Sequence, residues 1–198
     1  MSFVVNDSPL VVHVIHRLQV GGLENGLANL INSMPPGRYR HAVVALTDHT
    51  AFRSRLPAHV PVYDLHKRPG QDPGLYLRLW RLFRKLRPDI VHTRNLSALE
   101  AQIAAALAGV PARVHGEHGR DVHDLDNTRR RYRWLRRGIS PVVQAYIPLS
   151  RELERYLVNE VGIPAGKVTR CFCSGQIWRS ILPNAWMQLS NRSVRRCR

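Results

Sequence analysis

Two glycine-bearing segments carry the residue types best suited to hold a small anionic ligand. The first is Gly21–Gly22, followed by Leu23 and Glu24. Paired glycines allow a tight turn and a close approach of backbone to ligand. The free N–H groups of a helix starting there can face a phosphate, and Glu24 at the helix start suits the dipole in any case. The second segment is denser: His115, Gly116, Glu117, His118, Gly119 and Arg120 follow one another. A histidine such as His118 can donate a hydrogen bond to a hydroxyl, and Arg120 can meet a phosphate. A third stretch, Asp89–Asn95, reads as a strand and its exit. Arg94 and Asn95 are well placed for a crevice there, whereas His92 lies on the opposite side of the strand from Val91 and suits a packed core. Each segment also has a plain reading: a flexible turn for the glycine pair and a structural loop for residues 115–120.

Several chemistries are absent. There is no GxGxxG and no GxxxxGK[ST], so neither a dinucleotide fingerprint nor a P-loop is present. His115, His118 and His123 lie near one another but match no HExxH spacing, and Cys171 and Cys173 have no second thiol pair nearby, so no metal is expected. No cofactor is expected either.

The elements that must position these residues follow from periodicity. Leu10–His16 is a short, mostly apolar run rich in β-branched residues and fits a buried parallel strand. Leu23, Leu27, Leu30, Ile31 and Met34 then share one helical face, ended by Pro35–Pro36–Gly37. Further strands are expected at 41–47, 60–65, 89–93, from 112 and at 142–148. Helices are expected near 51–56, after Pro73, and at 97–107, 128–139 and 151–161. Another strand should begin at Val168. Alternating strands and helices with short connections mean a mostly parallel α/β sheet with helices on both faces. Ligands on such sheets bind beyond the carboxyl ends of the strands. All three chemistry-bearing segments lie at those ends.

The helix over 128–139 is strongly basic. Tyr132, Leu135 and Ile139 face inward by spacing, while Arg129, Arg130, Arg133, Trp134 and Arg137 suit an anionic membrane surface. A solvated helix face is the plain alternative. The net charge of the 198 residues is +16, which draws anionic partners without choosing among them. No recognisable nucleic-acid-binding module accompanies it. At 44% hydrophobic, the chain can bury a real core. No apolar run is long enough to span a bilayer, and the N-terminus has no secretory-signal pattern. Periodicity is lost near Arg170. Residues 171–198 hold all three cysteines, five arginines and no acid. Three parts are therefore expected: an N-terminal extension over 1–9, a domain over 10–170, and an aberrant, poorly ordered basic tail over 171–198.

HVIHRLQVGGLENGLANLI, PDIVHTRN, ARVHGEHGRD and PLSRELERYLVNEVGIPAGKV, in that order, resemble the N-terminal half of GT-B glycosyltransferases of the retaining family 4. The match is closest to sugar transferases of bacterial exopolysaccharide systems, including those associated with PEP-CTERM and exosortase clusters. The resemblance implies one Rossmann-like domain, the N-terminal half of a GT-B fold. It also implies an enzyme that transfers a sugar from a nucleotide-diphosphate sugar to a glycan or lipid-linked acceptor, with retention. Gly21 and Gly22 would border the donor pyrophosphate, and His118 would contact the transferred sugar as the catalytic-site residue. Glu24, Arg94, Asn95, Glu117 and Arg120 would line the substrate site. The family's second domain, which grips the nucleotide and carries paired glutamates, has no counterpart in these residues. A frameshift near residue 170 would explain the tail, and the chain is expected to be inactive alone. A cytoplasmic location, at the inner face of the membrane, is the matching expectation. The alternative is a noncatalytic module that binds glycan or anionic membrane.

Overall fold

Runs of β-branched residues form the sheet. The computed structural model describes residues 8–119 and 129–170. Arg120, His123, the tail over 171–198 and most of the N-terminal extension lie outside the described residues. Six strands pair in parallel in the order β3-β2-β1-β4-β5-β6. They are β1 (Leu10–Ile15), β2 (Arg40–Ala45), β3 (Val62–Asp64), β4 (Ile90–Arg94), β5 (Ala112–Glu117) and β6 (Ala145–Pro148). Every residue of β1 and β4 is buried, as a sheet covered on both faces requires.

Alternation along each strand sorts side chains to two layers. Val12, Val14, Val44 and Val91 pack with Leu75, Leu79 and Phe83 of α2 (Pro73–Leu86) and with Ala101, Ala104 and Ala105 of α4 (Ala101–Leu107). Ile15, Val43 and Ala45 instead meet Leu27, Ala28 and Ile31 of α1 (Gly22–Ser33). A fully buried Val or Leu contributes ~1.5–3 kcal/mol, so these two layers dominate the stability of the domain.

Several boundaries differ from the periodicity reading. The helix expected over 97–107 is two pieces, α3 (Leu96–Leu99) and α4, because the chain turns at Glu100. Helix α5 spans Arg130–Ile139. The last helix begins as α6 (Arg151–Arg155), capped by the Ser150 hydroxyl accepting from the Leu153 N–H. It continues as a π turn over Tyr156–Val161 and stops at Gly162, whose φ of 81° suits glycine. Val168 makes an isolated parallel bridge to Tyr146 and opens no further strand among the described residues.

Candidate active site at the carboxyl edge of the sheet

The sheet reverses direction of winding between β1 and β4, which are neighbours in the sheet but not in sequence. The chain leaves β1 towards α1 on one face. It leaves β4 towards α3 and α4 on the other. A crevice opens at such a switch point, beyond the strand ends. Gly21 and Gly22 flank it on one side, and Asn95 and His118 on the other.

The glycine turn works by space. Gly21 caps α1 in ordinary extended backbone (φ −172°). A Cβ at Gly21 would run into the Glu24 carboxylate, which folds back over it, whereas Gly22 is open. Glu24 is held above the usual carboxylate range by burial, against the opposing pull of its own backbone N–H and of Arg94.

Arg94 ends β4 and is only 2% exposed. Its Nη1 donates to the Leu23 carbonyl, 3.3 Å away, tying the end of β4 to the first turn of α1. Its Nε has no hydrogen-bond partner among the described residues. Burial lowers its pKa to about 10, opposed by the Glu24 charge. A buried guanidinium with spare donors is a fitting partner for an anion.

Asn95 adopts a positive φ of 57°, uncommon outside glycine. Two hydrogen bonds hold it there. Its N–H donates to the Gly116 carbonyl at 2.8 Å, and its Oδ1 accepts from the His118 N–H at 2.8 Å. Asn95 therefore sets the path of the loop after β5. The His118 ring rests against Gly116: a Cβ there would lie 2.6 Å from His118 Nε2 and 3.1 Å from His92 Nε2. Burial, Arg94 and His115 lower the His118 pKa to about 3, against the pull of Glu117. His118 is thus a neutral imidazole at neutral pH, able to donate one hydrogen bond and accept another. Its Nε2 has no partner among the described residues.

Glu117 is a correction. Expected to line the substrate site, it points away from the crevice and is 1% exposed. Its Oε1 accepts from Arg136 Nε at 2.6 Å, and its Oε2 from Arg136 Nη2 at 3.4 Å. Burial alone would raise its pKa. The His115 hydrogen bond and the Arg136 charge outweigh that and hold it at about 2. His115 sits behind, with Nδ1 2.8 Å from Thr93 Oγ1, and Gln102 donates to the same hydroxyl at 2.8 Å. Sequence reasoning missed Arg136 because it lies within a run of exposed arginines. The signal was its spacing one turn from Tyr132 and Ile139.

Of the residues assigned to a membrane surface, Trp134 is 68% exposed and Arg129, Arg130 and Arg137 are exposed. Arg133 is half-buried and reaches Glu160 at 3.5 Å. No group of three or more ligating side chains suited to a metal occurs among the described residues. No helix among them is long and apolar enough to cross a membrane.

The family model described as Glycosyltransferase Family 4 matches residues 20–171, most of the chain. The chain belongs to Glycosyltransferase Family 4. This family 4 chain is 30% identical over 105 residues to a UDP-Gal:alpha-D-GlcNAc-diphosphoundecaprenol alpha-1,3-galactosyltransferase of Escherichia coli, covering 50% of the chain and 26% of the relative. Among solved structures, Anabaena Alr3699/HepE in complex with UDP and glucose superposes with a TM-score of 0.63 at 18% identity, covering 82% of this chain and 43% of that one. A UDP-N-acetylglucosamine 2-epimerase from Rickettsia bellii gives 0.60 at 18% identity, over 93% and 48%. A glycosyltransferase from Rickettsia africae ESF-5 gives 0.62 at 15%, over 83% and 42%. These likenesses show the fold, that of one GT-B half. The family 4 chain spans about a quarter of the curated relative and under half of these solved structures.

Proposed function

We propose that this domain is one wall of the catalytic cleft of a sugar transferase that uses a nucleotide-diphosphate sugar. The single observation that carries the reading is the juxtaposition at the switch point. The open N-terminus of α1 and the buried, incompletely paired Arg94 lie together there, with the neutral His118 beside Arg94. Helix N–H groups and a guanidinium suit a departing diphosphate. A neutral imidazole suits a sugar hydroxyl. The structural relatives' titles name UDP and UDP-sugars, which agrees with such a donor.

The acceptor we propose is a glycan or lipid-linked glycan of bacterial exopolysaccharide assembly, with retention at the anomeric carbon. The diphosphoundecaprenol acceptor in the Escherichia coli relative's name supports a lipid-linked one. The exposed arginines and Trp134 of α5 fit peripheral contact with anionic lipid at the inner face of the cell membrane. Residues 1–198 alone are proposed to turn over no donor. Placement of donor and acceptor across two domains accounts for about 7–11 kcal/mol of barrier in well-oriented reactions, and one wall supplies half of it. The exposed face of α5 also favours a second reading, a noncatalytic module on anionic membrane or glycan.

The test fuses the donor-binding domain of a family 4 relative after Thr169. Both constructs meet a panel of UDP- and GDP-sugars with lipid-linked and soluble acceptors, scored by product mass. Product from the fusion alone is expected, and His118→Ala in the fusion should cut turnover. A fusion that folds but makes no product, with vesicle or glycan binding intact, would favour the second reading.

A further inference from the structure

A row of imidazoles crosses the α1 face of the sheet behind the crevice. His41, His13 and His92 stand on the neighbouring strands β2, β1 and β4. They are 7%, 0% and 1% exposed. His13 Nδ1 is 3.3 Å from His92 Nδ1, and His13 Nε2 is 3.2 Å from His41 Nδ1. Burial is the largest cause keeping all three neutral. The charge facing His13 and His92 is Arg94. His118 and His115 also face His92, while His59 and the Tyr39 ring face His41.

A neutral imidazole carries one N–H. Both nitrogens of His13 face another imidazole nitrogen, so His13 donates through one and accepts through the other. Two patterns satisfy both contacts. In the first, His41 Nδ1 donates to His13 Nε2, His13 Nδ1 donates to His92 Nδ1, and His92 carries its N–H on Nε2. In the second, both bonds are reversed, His92 Nε2 holds a lone pair, and His41 carries its N–H on Nε2. Conversion of the first into the second moves one proton along each bond. One proton leaves His92 Nε2, one joins His41 Nε2, and the net charge is unchanged.

The crevice end of the row meets His118. Gly116 has no side chain, so His92 Nε2 and His118 Nε2 approach the same side of its Cα, and the two rings stand 6.4 Å apart. We infer that His92 is a positioning residue for His118, and that His13 and His41 set whether His92 offers its neighbour a proton or a lone pair. The choice would reach a crevice histidine from β2, three strands from β5. Its catalytic consequence rests on the reading of His118 as a sugar-contacting residue. The arrangement itself does not.

Imidazole 15N resonances of the unliganded 198-residue chain, labelled at histidine, test it. In the unaltered protein, through-hydrogen-bond 15N–15N couplings should join His92 Nδ1 to His13 Nδ1 and His13 Nε2 to His41 Nδ1. Their absence would overturn the row, whatever any variant does. His41→Phe keeps a ring but removes the nitrogens, and should shift the His92 and His118 resonances towards the other tautomer. His41→Asn places an amide near the lost Nδ1 and should restore them. Val43→Ala, a purely steric change on the same strand, should leave His118 unmoved. An unmoved His118 in His41→Phe, or an equal shift in Val43→Ala, would also sink the inference. No sugar is present, so a failure to bind donor and a failure of this row are separate results.

Discussion

Glu117 and Arg136 meet in an enclosed ion pair, Nε to Oε1 2.6 Å, that fastens the end of β5 to α5. Both side chains are at most 2% exposed. The pair lies on the face of β5 opposite Gly116. It anchors the strand from behind while the His118 loop projects at the crevice.

Breaking one partner strands the other charge. Glu117→Ala should therefore cost about 3–5 kcal/mol in urea unfolding, whereas replacing both partners with apolar residues of similar volume should recover most of that loss. A single variant costing under about 1 kcal/mol would show that the pair is not structural.

Gly116 and Gly21 should respond differently to alanine. At Gly116 the added Cβ meets two imidazoles, one of them the buried His92, so Gly116→Ala should lose about 1–3 kcal/mol. At Gly21 the obstacle is the far end of the flexible Glu24 side chain, which can swing away, so Gly21→Ala should leave the unfolding midpoint nearly unchanged. Parallel denaturation curves decide it; equal losses would refute the distinction.

Arg94→Met should separate stability from ligand binding. The change removes a buried cation with one recorded hydrogen bond, so stability should hold or rise by about 1 kcal/mol. Affinity for a nucleotide-diphosphate sugar in the fused enzyme should fall at least about tenfold, the equivalent of about 1.4 kcal/mol. Calorimetric titration beside thermal unfolding checks both halves. Unchanged affinity would remove Arg94 from the site.

Acid should weaken the fold before the carboxylates titrate. His41 falls to about 4 and His118 to about 3 in the folded protein, below the unfolded value of about 6.5. The unfolded chain therefore binds more protons as pH drops below 6.5, and stability falls from there until the folded pKa is passed. At pH 5, His41 alone should cost about 2 kcal/mol. Glu117, held at about 2, adds its loss only below its unfolded value of about 4.3. Urea midpoints between pH 7.5 and 5 give the slope, and His41→Asn should flatten it. A midpoint independent of pH over that range would contradict the neutral-imidazole account.

The exposed arginines of α5 should bind anionic vesicles in a salt-dependent way, each contributing about 1 kcal/mol near the surface. Sedimentation with phosphatidylserine and with phosphatidylcholine vesicles, at low and high salt, measures this. Equal binding to both lipids would defeat the electrostatic account.

Alternating apolar runs and glycine or proline stops were enough to read the parallel sheet, because both signals are local. They also placed Gly21, Asn95 and His118 at strand ends. Direction of side chains across strands was less legible. Glu117 and His118 are sequence neighbours, yet the pleat turns Glu117 to the α5 face while His118 follows the loop back to Gly116. His13 and His41 were read only as parts of apolar strands. Their pairing depends on β1–β2 register, which one strand's sequence does not state. Two histidines inside otherwise apolar strands were the available clue.

The π turn at Tyr156–Val161 bears on how this family can vary in length. A π turn holds one residue more than the α repeat, so it reads as a single-residue insertion retained in the last helix. Removing one residue there would let α6 continue regularly. It would also rotate everything beyond by about 100°, carrying buried Val161 off the core that it shares with Ile139 and Tyr146. Relatives that lack the extra residue should therefore carry their apolar positions shifted by one from this point. Aligned sequences should show a lone gap between residues 156 and 161 rather than a scatter of gaps along the helix.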